Sequence, residues 1–310
     1  MFTQIIILFS GLILLYVGSE LLVNGSSSTA LMYSIKPVII GLTIVSFATS
    51  APELLVSFVA ALKGSGDISV GNILGSNVIN IALVLGISAM IRKVDIKNQI
   101  IRFELPFMLF ISIIFWVLCL DCEVGYFDGI VLLSLLLAFL FVSIKNAKYQ
   151  NQTGKSPDKS RKKLLINILY ILTGLTALAF GANMVVKNAI IIAKTIGLSE
   201  VFIGISIVAL GTSLPELATS AVAAAKGHSD ISVGNVVGSN IFNICLVMGI
   251  VGILNPTEVN KSLLYFEIPF MVFLSIVFYI ISIKYKKINA LSGAAFIVFF
   301  LIYNIISYTK

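Results

Sequence analysis

The chain repeats itself at a constant offset of 163 residues, and this limits its fold more than any other feature. GLTIVSFATSAPELLVS at residues 41–57 returns as GISIVALGTSLPELATS at 204–220. DISVGNILGSNVINIALVLG at 67–86 returns as DISVGNVVGSNIFNICLVMG at 230–249. Across residues 41–86, 28 of 46 positions match their partners without a gap, so the two halves must share a local structure. The register extends outward, since FELPFM from Phe103 recurs as FEIPFM from Phe266. A duplication of this kind is one structural unit used twice.

Composition sets the solvent. The chain is 58% hydrophobic and 11% charged, with a mean hydropathy of +1.06, where an ordinary soluble domain is roughly 25% charged. Its charges gather in short clusters, and the runs between them match the ~20 residues a helix needs to cross a bilayer. Ten spans are expected, near 3–23, 36–62, 69–91, 103–120, 124–144, 164–186, 197–225, 232–254, 264–283 and 288–308. All should be helical, because a lipid-exposed backbone must satisfy its own hydrogen bonds. The fold class is therefore an all-α membrane protein, with the lipid bilayer as its surroundings. The first span is longer than a signal-peptide core and has no basic residue ahead of it, so it reads as a mature helix.

The hydrophilic stretch 145–163 is a basic linker between a first five-helix repeat, 1–144, and a second, 164–310. Five spans per half is odd, so the second half enters the membrane inverted. With the N-terminus outside, the inward-facing loops hold 16 of the 21 Lys and Arg residues, which places both termini outside and the linker in the cytoplasm. Net charge +7 and pI 9.2 follow from that asymmetry and leave no nucleic-acid footprint. The Asn151/Thr153 glycosylation pattern then falls on the wrong side to be used. Cys119, Cys122 and Cys245 read as small packing residues, without a disulfide framework.

Glu53 and Glu216 carry the chemistry. Each lies mid-span among apolar residues, where an ionised carboxylate costs several kcal/mol unless it is balanced. No Lys or Arg falls within nine residues of either. A metal ion or a proton remains as the balance. Both glutamates follow a proline, in TSAPE and TSLPE, which breaks the span at mid-membrane in helices two and seven. The carbonyls near Ser46–Thr49 and Ala209–Thr212 then lose helical partners. Carbonyls, hydroxyls and a carboxylate make an all-oxygen environment suited to Ca²⁺ or Na⁺, and no His or Cys cluster favours zinc or copper.

The second motif, GNILGSNVIN and GNVVGSNIFN, puts Ser76 with Asn80, and Ser239 with Asn243, on one helix face. Gly71, Gly75, Gly234 and Gly238 allow that helix to approach its neighbour closely. Glu104 and Glu267 precede a proline and read as first-turn acids. Asp67 and Asp230 read as N-caps, and Glu20 and His228 as solvated residues.

The paired T-S-x-P-E and G-S-N-x-x-N motifs resemble the α-repeats of the sodium/calcium exchanger family, within the wider cation/Ca²⁺ exchanger superfamily. The likeness runs over essentially the whole chain and matches a prokaryotic type made of the transmembrane repeats alone. It implies an electrogenic antiporter, three Na⁺ for one Ca²⁺, with four ion sites at mid-membrane. Carried over by position, Glu53 and Glu216 would chelate Ca²⁺ with backbone oxygens of Thr49 and Thr212. Na⁺ would use the Ser46 carbonyl, Thr49, Ser50 and Ser76 in one half, and the Ala209 carbonyl, Thr212, Ser213 and Ser239 in the other. Asn80 and Asn243 would complete the centre, and the first and sixth helices would slide to gate the passages.

Some family members carry Asp at one or both of these Asn positions. Two carboxylates balance one Ca²⁺ and leave three Na⁺ with an excess of +1, and the missing acid argues against K⁺ co-transport. Proton-coupled Ca²⁺ antiport and a cation channel stay open as alternatives. Ca²⁺ flux that follows a pH gradient without Na⁺ would mark the first, and flux without a counter-ion the second. An enzyme is not expected, since no nucleophile–base pair or cofactor motif is present. Ca²⁺ and Na⁺ are transported ions rather than cofactors, and a monomer is the working expectation.

Overall fold

A computed structural model describes residues 2–145, 147, 160–196 and 209–309, with no side-chain placement for Ala209, Tyr308 and Thr309. Twelve helical pieces account for nearly all of it. They are α1 (Phe2–Met32), α2 (Pro37–Thr49), α3 (Ala51–Leu62), α4 (Gly66–Ile91), α5 (Ile100–Asp121) and α6 (Tyr126–Lys145). The second set is α7 (Arg161–Thr195), α8 (Ala209–Thr212), α9 (Leu214–Ala225), α10 (Ser229–Leu254), α11 (Leu263–Tyr285) and α12 (Ala290–Thr309). Eight are long and apolar enough to cross a membrane, and α2 with α3 makes a ninth crossing bent by 43°. The expected span 197–225 is described only from α8 onward. Residues 197–208 lie outside the described part, as do most of the linker and the Asn151 pattern.

Helices α4 and α10 are the axis of the bundle. Their apolar windows are 78% and 83% buried, against 28% and 22% for α1 and α7. The repeats interlock around this axis, because α6 packs on the C-terminal part of α10 and α12 on that of α4. Lateral packing also repeats: Phe107 stacks on Phe139 at 5.0 Å and Phe270 on Tyr303 at 5.1 Å.

Two-residue ribbons tie the connections at each end. β1 (Val94–Asp95) pairs antiparallel with β4 (Lys287–Ile288), and β2 (Glu123–Val124) with β3 (Thr257–Glu258). The β1–β4 end also holds Lys36 on Gln99 (2.7 Å), Arg92 on the Ala225 carbonyl (3.2 Å) and the Lys97–Asp230 ion pair. At the opposite end Asp67 accepts from the backbone N–H of Asn260 at 3.2 Å. Asp67 and Asp230 are therefore ties between connections. The N-cap positions belong to Ser65 and His228, and neither makes a side-chain cap bond. Burial and the nearby Lys226 hold the His228 imidazole below its usual range, against the opposing pull of Asp230; the residue is half-buried rather than solvated. All three cysteines are free, with Cys119 and Cys245 buried.

Three other expectations need correction. α1 and α7 run well past 3–23 and 164–186, because the small and polar residues that looked like span ends form a contact face. Gly11, Gly18 and Gly25 of α1 meet Gly181, Gly174 and Asn167 of the antiparallel α7. A Cβ on Gly18 would sit 2.8 Å from the Gly174 carbonyl oxygen. Glu104 and Glu267 are not first-turn acids, since their helices start earlier and pass through π-turns at Ile100–Glu104 and Leu263–Glu267. The buried Glu104 carboxylate accepts from Gln99 Nε2 at 2.7 Å, and Glu267 accepts from the Ser307 hydroxyl at 3.0 Å. Glu20 is an ion-pair partner, 2.6 Å from Lys226, which also donates to Asn24 at 3.1 Å.

Backbone-to-backbone packing of α1 on α7 leaves no room for a side chain. Gly18→Leu should destabilise the protein by about 1–3 kcal/mol through overpacking, seen as a lower melting temperature in detergent. Ile13→Ala on the same helix, at a side chain 65% exposed, should change the melting temperature little.

Candidate functional site

The break between α2 and α3 builds the first half of the site. Ser50 leaves helical geometry at φ −82°, ψ 3°, and Pro52 is the second residue of α3. The ladder runs to the Ser50 N–H on the Ser46 carbonyl (2.9 Å) and resumes with the Leu54 N–H on the Ser50 carbonyl (3.1 Å). Proline has no N–H to offer the carbonyl four residues back, so the freed oxygens lie between Phe47 and Thr49. The Ser46 carbonyl is not among them, since it accepts both the Ser50 N–H and the Thr49 hydroxyl (3.3 Å). The break recurs at Ser213, with Pro215 second in α9 and the Leu217 N–H on the Ser213 carbonyl at 3.0 Å.

Each break places its glutamate at the third residue of the following helix, fully buried. Each glutamate is held by the other repeat. Ser213 Oγ donates to Glu53 Oε1 at 3.2 Å, and Ser50 Oγ donates to Glu216 Oε1 at 3.3 Å. Ser76 adds a donor to Glu53 Oε1 at 3.4 Å. Thr49 Oγ1 lies 3.4 Å from Ser239 Oγ and donates to Asn235 Oδ1 at 3.1 Å. The structure thus brings Glu53, Glu216, Ser50, Ser213, Ser76, Thr49 and Ser239 into one cluster.

The other expected residues are placed less directly. Thr212 is buried and lines a cavity with Thr49. The Ser46 hydroxyl points back to the Gly41 carbonyl and across to those of Gly234 (3.4 Å) and Asn235 (3.3 Å), tying α2 to α10. Ala209 opens α8, and its side chain lies outside the described residues. Asn80 and Asn243 each begin a π-turn, a helical defect common at functional sites.

Unpartnered atoms show what the cluster lacks. Glu53 Oε2, Glu216 Oε2, Asn243 Oδ1 and both amide atoms of Asn80 are buried without a hydrogen-bond partner. Buried polar atoms are normally paired, so this oxygen-rich set is open to a hard cation. Near it, α3 and α7 bound a cavity of about 510 Å³ that Thr49, Thr212, Pro52, Pro215 and Asn183 help to line. α1 lies along α9, and the Glu20–Lys226 pair ties that contact.

Sequence reading overlooked Asn72 and Asn235. Asn72 Nδ2 donates to the Glu53 backbone carbonyl (3.4 Å) and to Ser57 Oγ (2.9 Å). Asn235 does the same to the Glu216 carbonyl (3.4 Å) and Ser220 (3.0 Å). The signal was available, because Asn72, Ser76 and Asn80 recur every four residues along one helix face.

Comparison with known proteins gives the family. The family described as sodium/calcium exchanger protein matches residues 3–145 and 166–309. The inner membrane protein YrbG of Escherichia coli is 35% identical, covering 88% of this chain and 86% of its own. The sodium/calcium exchanger MaX1 of Methanosarcina acetivorans is 27% identical, covering 97% of both. Among solved structures, the sodium-calcium exchanger NCX_Mj, soaked with Na⁺ and Ca²⁺, is 31% identical over 97% of both chains, with a TM-score of 0.85. With both halves matched, the chain belongs to the sodium/calcium exchanger family.

Proposed function

We propose that this protein is an electrogenic Na⁺/Ca²⁺ antiporter, exchanging three Na⁺ for one Ca²⁺ by alternating access and without K⁺. The observation that carries the reading is the buried pair Glu53 and Glu216, each with one oxygen bonded by a serine of the other repeat and one oxygen free. Two carboxylates neutralise one Ca²⁺. Three Na⁺ at the same place leave an excess of +1, worth about 2.3 kcal/mol per 100 mV of membrane potential in each cycle. The hydroxyls of Thr49, Ser50 and Ser76, with those of Thr212, Ser213 and Ser239, supply neutral oxygens for Na⁺. Carbonyls of the two breaks and the amide oxygens of Asn80 and Asn243 complete the shell. Family membership and the names of the relatives support the choice of ions.

The frame of the proposal is ten spans in two inverted repeats, 1–144 and 164–310, joined by the basic linker 145–163. The protein sits in the plasma membrane with both termini outside. On that orientation the α3–α7 cavity leads to the outer side and the Glu20–Lys226 contact shuts the inner one. The repeat offset carries Glu20, Asn24 and Lys226 onto Asn183, Lys187 and Lys63. The mirror contact thus has no acid and two lysines, and charge favours the outward-open conformer over its mirror image.

Glu53→Gln and Glu216→Gln should each abolish Ca²⁺ transport while leaving a folded, membrane-inserted protein. Normal transport by either would remove these residues from the site. Glu104→Gln should change transport little, because glutamine can still accept from Gln99. The direct assay is ⁴⁵Ca²⁺ uptake into Na⁺-loaded proteoliposomes in Na⁺-free, K⁺-free medium. Uptake should require internal Na⁺ and rise with an inside-positive potential; uptake indifferent to Na⁺ would overturn the proposal. Glu20→Gln should speed hydrogen exchange around Lys226 several-fold and slow it around Asn183, whereas no change at either end would remove the ion pair from gating.

A further inference from the structure

The two central asparagines are repeats of one another, yet they stand in different surroundings. Asn243 Nδ2 donates to Asn77 Oδ1 across the repeat interface at 3.1 Å. Asn77 in turn donates its own Nδ2 to the Met271 thioether at 3.4 Å. The mirror contact would join Asn80 to Asn240, and it is not made. Asn240 turns its Nδ2 to the Val236 carbonyl one turn back (2.7 Å), its Oδ1 has no partner, and neither amide atom of Asn80 is bonded.

This difference bears on ion binding because an amide has two unlike ends of nearly the same shape. A cation accepts only the oxygen, while the NH₂ end repels it. A half-turn about the terminal side-chain bond exchanges the two, so an asparagine is a dependable ligand only where a neighbour decides its orientation. Asn77 does this for Asn243. Its oxygen can only accept, so it takes Nδ2 and leaves Asn243 Oδ1 as the free, buried end. The Met271 sulfur, a weak acceptor, takes the Asn77 Nδ2 and fixes which end of Asn77 faces Asn243. Asn77 and Asn243 are both buried, so no solvent competes for these bonds.

We infer that in this conformer Asn77 is a positioning residue that holds Asn243 as an oxygen ligand, and that Asn240 has no such role toward Asn80. The central position is therefore preorganised from the second repeat and adjustable from the first. This rests on the ion-site reading above, and it applies to the Asn form of the site. An Asp at position 243 would present oxygen at both ends and would need no orienting partner.

The test uses the full chain, with Ca²⁺ binding measured by calorimetry and ⁴⁵Ca²⁺ uptake in proteoliposomes. Asn77→Ala should weaken Ca²⁺ binding roughly 10-fold, the lower end of what losing a partner behind a metal ligand costs. Asn240→Ala should change it less than about twofold on the same scale. In an Asn243→Asp background, Asn77→Ala should have little effect. An equal loss in both backgrounds would mean that Asn77 acts by packing, and the inference falls. It falls also if Asn77→Ala binds Ca²⁺ normally while Glu53→Gln abolishes binding, a result that would leave the ion site intact. If Glu53→Gln itself binds and transports Ca²⁺, the ion-site reading fails first. Should Asn77→Ala not fold, Asn77→Asp can still accept from Asn243 and should keep its affinity, so a tenfold loss there would overturn the inference.

Discussion

Two carboxylates at the centre of an apolar bundle are the constraint on which the remaining structure depends. Each costs several kcal/mol to ionise in such surroundings, and the side-chain donors to their Oε1 atoms are serine hydroxyls. The chain answers with hydroxyls taken from the opposite repeat. Ser213 reaches Glu53 and Ser50 reaches Glu216, so neither repeat can assemble a site alone. Those serines can reach across only because they sit where their own helices are interrupted. The interruption needs Pro52 and Pro215, whose missing N–H groups release the carbonyls just before the glutamates. Proline, serine and glutamate thus form a single device, which explains why TSxPE recurs as a unit.

Much of this was legible in the sequence, and the reasons are physical. A Glu within a membrane span has few explanations, and two at one repeat offset have fewer. The pairing of helix breaks with carboxylates followed from the absence of a proline N–H. Length was harder to read. α1 continues to Met32 through Gly25, Ser26, Ser27 and Ser28, residues that lower hydropathy yet suit a helix lying against another backbone. Hydropathy measures affinity for lipid, whereas Gly25, Ser26 and Ser27 are buried within the protein, Gly25 against α7. The acids beside connections misled for a related reason. An Asp near a helix start looks like a cap, but Asp67 and Asp230 bond residues 193 and 133 positions away, which no local pattern reveals. Asn72 and Asn235 were passed over because they touch the glutamate backbones rather than their carboxylates.

The repeat is also informative where it fails. Two identical inverted halves would make the two facing conformers equal in energy, since exchanging the halves would exchange the states. Any bias must come from positions where the halves differ. Glu20 against Asn183 and Asn24 against Lys187 are such positions, and Glu20 and Asn24 both bond Lys226, whose repeat partner is Lys63. For the proposed antiport unequal states would have a use, because the state populated at rest would decide which ion is met first. Duplication builds one site from two halves, and the unmatched polar residues around Lys226 are where the halves can differ in energy.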